Sequence, residues 1–261
     1  MSSKLSVLRV GFFLDGYTLK KVNEYYLRYH RYHSRLDFRE LKGWVRDYVM
    51  RLFGREGSLV ELESHYDHPY VRNYDVAESP VENGLDRLEK QLMLAGFEVH
   101  YNSPANANRM GPNMQLVEDA YLYASYHKID VLVLLSTQGQ YSTLPERLKR
   151  EGVPMLLLGW NFDYERGNTT VYWRTDSCLR ELSGYYVAME EVAEKYPPKR
   201  TAERNLFMLP YNPQPPQSNI WQAYLKKIMA SLDEPADYKE NSRYRKTGYK
   251  KSPANSEARL A

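Results

Sequence analysis

The chain is nearly without cysteine: Cys178 is the single one in 261 residues. One thiol excludes an intrachain disulfide framework and any zinc site that needs two or more thiolates, so a reducing, cytoplasmic setting is expected. Long apolar runs are missing too. Val131–Leu135 and Met155–Trp160 are the most apolar stretches, far below the roughly 20 residues of a membrane helix. No membrane partner is therefore expected. The opening run Leu5–Leu14 is broken by Arg9 and meets Asp15, which does not read as a secretory signal. There is no internal repeat. Ser136 and Thr137 could face a phosphate, but no Gly-rich phosphate loop accompanies them.

Net charge is small, +3, and unevenly placed. Residues 239–261 hold seven basic groups against Glu240 and Glu257, a tail charge of +5 that leaves −2 for residues 1–238. A near-neutral body is not a strong polyanion binder by net charge alone. What the chain has in excess is tyrosine, 24 against 7 Phe and 4 Trp. Tyr joins a flat apolar body to a hydrogen-bonding tip, which suits core rims and half-wet binding surfaces. Five fall in 17–32 and three in 121–126, and some of these rings are expected at the mouth of a site.

Periodicity predicts an alternation of apolar strands and amphipathic helices. Leu5–Leu14, Leu59–Tyr66, Phe97–Tyr101, Val131–Leu135 and Pro154–Gly159 read as strands. Residues 17–35, Arg39–Phe53, Leu85–Ala95, Met114–His127, a helix opened by the capping box Thr143-Leu-Pro-Glu146, and Ser177–Lys195 read as helices. Asp67–Val81 and residues 102–113 read as polar loops. The implied fold class is α/β, a three-layer α/β/α sandwich with a mostly parallel central sheet plus a C-terminal extension. Ligands in such sheets bind beyond the carboxyl ends of the strands. Those ends carry Asp15-Gly16, the Asp67 region, Ser136–Tyr141 and Trp160-Asn161.

The body spans 1–195. Residues 196–217 hold six of the 14 prolines, a linker or strap. An amphipathic helix at 218–234, with Ile220, Trp221, Tyr224, Leu225, Ile228 and Leu232 on one face, would dock on the body, on a protein partner or on a second copy. Residues 235–261 form a basic tail expected to be disordered.

The strand-end residues and their order resemble the NYN-domain family (LabA-like) of the PIN-like nuclease superfamily, over about residues 6–190. The resemblance rests on Val10-Gly-Phe-Phe-Leu-Asp-Gly16, Leu36-Asp-Phe-Arg-Glu-Leu41, Met110–Asp119, Tyr126–Ser136, Thr137–Gly152 and the late Ser177-Cys-Leu179 helix. It implies a metal-dependent ribonuclease in which carboxylates at the strand ends hold Mg²⁺ or Mn²⁺. Asp15 matches the first-strand aspartate and Asp119 the acid on the helix before the central strand; these are the implied catalytic and metal residues. The chain departs elsewhere. Asn113 stands where the family has Asp, Gln138 and Gln140 replace both acids of the turn after the central strand, and Gly184 aligns with a late Asp. Glu118 and Asp130 are nearby acids that could substitute.

Two carboxylates hold a divalent ion weakly. The leading expectation is therefore a degraded metal site that binds RNA or protein. Asn113, Ser136, Thr137, Gln138 and Gln140 would then form a polar, uncharged surface able to read a base, a ribose or a peptide. The alternative is a working Mg²⁺- or Mn²⁺-dependent endoribonuclease using Asp15 and Asp119; a second alternative is a scaffolding subunit. Arg28 and Arg31, interleaved with Tyr25 and Tyr29, suit single-stranded RNA or the outer face of an ordinary amphipathic helix. His65, Asp67 and His68 read as surface groups rather than a zinc site. Cys178 falls in a predicted helix and is not read as a nucleophile.

Overall fold

The structure is a computed structural model that describes residues 6–54, 58–69, 82–101, 113–199 and 204–209. In chain order its elements begin with β1 (Val7–Asp15), α1 (Gly16–Arg28), α2 (Phe38–Phe53), β2 (Leu59–Asp67), α3 (Glu82–Leu94) and β3 (Glu98–His100). They continue with α4 (Gln115–Ser125), β4 (Val131–Leu135), a 3-10 turn at Gly139–Tyr141, α5 (Leu144–Arg150) and β5 (Met155–Gly159). A hairpin of β6 (Phe162–Arg166) and β7 (Thr169–Trp173) follows, then α6 (Ser177–Leu182), β8 (Gly184–Ala188) and α7 (Met189–Lys195).

Six strands form one sheet in the order β3-β2-β1-β4-β5-β8, parallel throughout. The near-continuous apolar runs of β4 and β5, buried at every position, are what a sheet covered on both faces requires. Alternate β1 residues divide between two cores. Val10, Phe12 and Leu14 pack with residues of α1, α2, α3 and α7, whereas Phe13 packs with residues of α4, α5 and α6. The molecule is a three-layer α/β/α sandwich. Chain order reverses between β1 and β4, the switch point where such sheets open a crevice at their carboxyl edge.

Three helices, α1, α2 and α6, begin where an aspartate accepts from first-turn amides, Asp176 from Leu179 N in α6. Asp15 accepts from Tyr17 N and Thr18 N, and Asp37 from Arg39 N and Glu40 N. In α2 the buried stripe is Phe38, Leu41, Trp44, Val45 and Val49; Tyr48 is only partly covered and Leu52 lies outside the stripe.

Several expectations are corrected. The helix predicted for 17–35 ends at Arg28, and the chain turns through His33 at a positive φ of 44°. Thr143 makes no capping bond, so α5 starts on its Pro alone. The predicted Ser177–Lys195 helix is interrupted: Gly184, at φ +77°, stops it, and Gly-Tyr-Tyr-Val-Ala pairs with β5 as the edge strand β8. The β6–β7 hairpin occupies a stretch expected to be loop, although Gly167-Asn168 between two short alternating runs is a hairpin signal.

After α7 the chain folds back. Leu206 and Phe207 are buried, Asp37 N donates to Leu206 O, and Phe207 bridges to Leu36. The predicted loop regions 70–81 and 102–112, the helix at 218–234 and the tail at 235–261 lie outside the described residues.

Candidate functional site

Strand register builds a polar row along the carboxyl edge. Asp15 pairs with Asp67, Asp67 pairs with His100, and Ser136 follows the last β4 residue, Leu135, which pairs with Leu14. Partners in a parallel ladder face the same side. The row thus lies on the face of Phe13, the face covered by α4. One layer deeper run Leu134, Phe13, His65 and Glu98.

Asp15 is fully buried and surrounded by donors. Its Oδ2 accepts from Thr18 N at 3.3 Å, Thr18 Oγ1 at 2.6 Å and Ser136 Oγ at 3.0 Å. Its Oδ1 accepts from Tyr17 N at 3.1 Å and faces the Tyr141 hydroxyl at 3.3 Å. Burial raises the carboxyl above its ordinary pKa, against the pull of those hydrogen bonds. Because Thr18 Oγ1 spends its proton on Asp15, it must accept from Thr137 Oγ1, 3.1 Å away. Thr137 Oγ1 in turn accepts from Gln138 Nε2 at 2.9 Å. The result is a one-way relay from Gln138 through Thr137 and Thr18 to Asp15. A carboxylate at position 138 could not start it, since it has no proton to give.

Asp67 is the opposite case. It is 1% exposed, and neither carboxylate oxygen meets a hydrogen-bond donor among the described residues. Burial, with Asp119 and Asp15 adding repulsion, pushes its pKa well above the usual carboxylate range. Asp119, half-buried on α4, is also raised by burial, while His100 pulls it down. Asn113 is buried: its Oδ1 accepts from Gln115 N at 3.1 Å, and its Nδ2 has no acceptor among the described residues. The Tyr141 hydroxyl lies 3.4 Å from the Asn113 carbonyl and is raised by burial and by Asp15 and Asp67.

No family model matches the sequence, and no curated protein matches it. Among solved structures the chain is similar to a protein of unknown function from Vibrio parahaemolyticus. The two share 17% identity over 72% of this chain and 96% of that one, with a TM-score of 0.45.

Among the residues expected from the sequence, Asp15, Asn113, Asp119, Ser136, Thr137 and Gln138 gather at this edge. Gln140 is exposed on the 3-10 turn. Arg28, Arg31, Tyr25 and Tyr29 are used elsewhere. Tyr25 stacks on Phe162 at 4.2 Å and Tyr29 on Tyr164 at 4.1 Å. Arg28 faces Glu24 at 3.8 Å, and Arg31 pairs with Glu194. Neither proposed acidic substitute joins the row. Asp130 is bound by Arg9 at the amino end of β4, and Glu118 is exposed. Gly184 also opens its strand at the amino edge, so the late acid of the family pattern has no counterpart there.

Four residues at this edge receive no role of their own from the sequence. Asp67, expected with His65 and His68 to be a surface group, is buried as they are, and its spacing from Leu59 matches that of Asp15 from Val7. His100 ends a three-residue strand with little pattern of its own. Tyr141 reaches Asp15 only after the 3-10 turn folds its ring inward. Asp176 caps α6, and its carboxyl carbon sits 2.7 Å from where a side chain at Gly139 would begin. Among the described residues no helix is long and apolar enough to cross a membrane.

Proposed function

We propose that the Asp15–Asp67–Asp119 cluster binds one divalent cation of the Mg²⁺ or Mn²⁺ class, and that the protein hydrolyses RNA phosphodiesters there as a metal-dependent endoribonuclease. The observation that carries this reading is Asp67. Neither of its buried oxygens meets a donor among the described residues, and a buried carboxylate without donors is stable only as a neutral acid or against a cation. The donor chemistry suits Mg²⁺ and Mn²⁺, with hard anionic oxygens and charge enough for one ion but not two; the oxygens of Asp15, Asp67 and Asp119 do not all lie within 4.8 Å of one another, so binding requires the three side chains to draw together. When bound, such an ion supplies a more acidic water and neutralises charge on the phosphoryl group. Asp15, Asp67 and Asp119 are the residues that would hold it. The hydroxyls of Thr18, Ser136 and Tyr141 keep Asp15 oriented, and the Asn113 Nδ2, which has no acceptor among the described residues, could donate to a ligand oxygen. RNA as substrate rests on the NYN-domain resemblance, and a cytoplasmic setting on the single free thiol.

A second reading is a binding site without catalysis. Asp15 favours it, because five donors already surround its oxygens, as does Gln138, whose amide fixes the Thr18 hydroxyl through Thr137. Calorimetric titration with Mn²⁺, together with cleavage of single-stranded RNA, separates the readings. Cutting that needs Mn²⁺ and is abolished by Asp67→Asn is the expected result. Salt-sensitive RNA binding with neither ion uptake nor cutting sinks the nuclease and supports the second reading. A protein that takes up neither ion nor RNA is a scaffold.

A further inference from the structure

Next to the carboxylates lies a different set of donors. His65 on β2 stands opposite Glu98 on β3, with His100 one step further along, all on the α4 face. His65 Nδ1 is 3.1 Å from His100 Nε2 and 3.7 Å from Glu98 Oε2, and one ligand atom from each of the three lies within 4.8 Å of the others. Around a tetrahedral zinc with Zn–N near 2.1 Å, neighbouring ligand atoms are about 3.4 Å apart, so the spacing already approximates one face of such a site. The His65 ring is held in place: Phe13 stacks on it at 4.5 Å and Tyr123 meets it edge-on at 4.9 Å. The Glu98 side chain is 63% exposed and His100 is half-buried, which leaves the group open to solvent on one side.

We propose that His65, Glu98 and His100 form a zinc-class metal site, separate from the carboxylate cluster. Two imidazoles and one carboxylate are the donors that favour Zn²⁺ or Co²⁺, whereas the all-oxygen cluster beside them favours Mg²⁺ or Mn²⁺. Three protein ligands leave a fourth position for water or a substrate atom. The competing account is a plain hydrogen bond between the two imidazoles. The inference does not depend on the nuclease reading, because its ligands exclude Asp15, Asp67 and Asp119.

The test is Zn²⁺ titration of the full chain in excess Mg²⁺, against a chromogenic chelator, with Co²⁺ absorption as a second readout. One Zn²⁺ per chain is expected, with visible Co²⁺ bands of low-coordinate type. His100→Ala and Glu98→Gln should each weaken zinc binding at least about tenfold, while Asp67→Asn and His127→Ala leave it unchanged. Glu98→Gln, on an exposed side chain, keeps the test decisive if His100→Ala does not fold. Zinc uptake by His100→Ala and Glu98→Gln equal to that of wild type, or no stoichiometric uptake by wild type, overturns the proposal. So does loss of zinc in Asp67→Asn, which would assign the ion to the carboxylates. Zinc uptake without Mn²⁺-dependent RNA cutting would remove the nuclease reading alone.

Discussion

Asp15 and Asp67 are register partners on adjacent strands, yet five donors face the first and none of the described residues donates to the second. Burial raises both carboxyls, but only that of Asp15 is offset by hydrogen bonds. The same substitution should act on them with opposite sign.

Asp15→Asn replaces one accepting oxygen by an amide nitrogen, which loses either the donors from Thr18 and Ser136 at the Oδ2 position or that from Tyr17 at the Oδ1 position. A loss of about 1–3 kcal/mol is expected. Asp67→Asn removes a buried charge that has no partner among the described residues and should stabilise the metal-free protein by about 1 kcal/mol or more. Denaturant melts in chelator at neutral pH check both; shifts in the same direction would contradict the assignment.

The folded Asp67 carboxyl is raised above its ordinary value by burial and by Asp119 and Asp15. Stability linked to a raised acid is complete below the unfolded pKa of about 3.9 and is lost as pH climbs through the folded value. Metal-free wild type should therefore weaken relative to Asp67→Asn between about pH 4 and neutrality. Mn²⁺ should reverse this, because a cation favours the ionised form. Thermal melts across pH, with and without Mn²⁺, read it directly.

Gln138→Glu removes the proton that starts the relay and turns the Thr137 hydroxyl away from Thr18. It also adds a charge near Asp15. A destabilisation of about 1 kcal/mol at neutral pH is expected, or roughly 2–4 °C for a body of this size. The effect should shrink in acid, where the introduced carboxyl group is protonated and neutral. A loss that is the same at both pH values would argue against the relay.

A Cβ on Gly16 would lie 2.4 Å from the Asp67 carbonyl and 2.6 Å from Pro69 Cδ. Gly16→Ala must push β2 away from α1, with an expected cost of about 1–3 kcal/mol. Because Asp67 moves with that carbonyl, Mn²⁺ affinity should fall in parallel; calorimetry on a folded variant tests it.

Trp160 Nε1 donates to the Tyr26 hydroxyl at 3.2 Å, with both side chains buried. Tyr26→Phe orphans that N–H and should cost about 1–2 kcal/mol, with a change in tryptophan emission. An unchanged melt would mean that the Trp160–Tyr26 hydrogen bond does not contribute to stability.

Much of the fold is legible in local pattern. The runs at Val131–Leu135 and Met155–Gly159 are strands because only a doubly covered sheet hides such sequences. Asp15 and Asp119 stand out through motif position. Asp67 and His100 do not, because their role comes from register: each faces a partner more than thirty residues away, and no local signal encodes which strands are neighbours. The tyrosine-rich stretch has the same limit. Tyr25 and Tyr29 alternate with basic residues as a nucleic-acid surface would, but the β6–β7 hairpin that takes up their rings is itself hidden in a stretch that reads as loop.

The amino-acid sequence alone determined the alternation of strand and helix, the strand-end placement of Asp15, and a composition with one thiol and a small net charge. Those depend on composition and short-range periodicity. Tertiary structure decided which polar groups share a face, that Asp15 is saturated while Asp67 has no partner among the described residues, and that two histidines and a glutamate meet beside them. Burial and donor count are properties of surroundings assembled from distant segments, and they set what each carboxylate can hold.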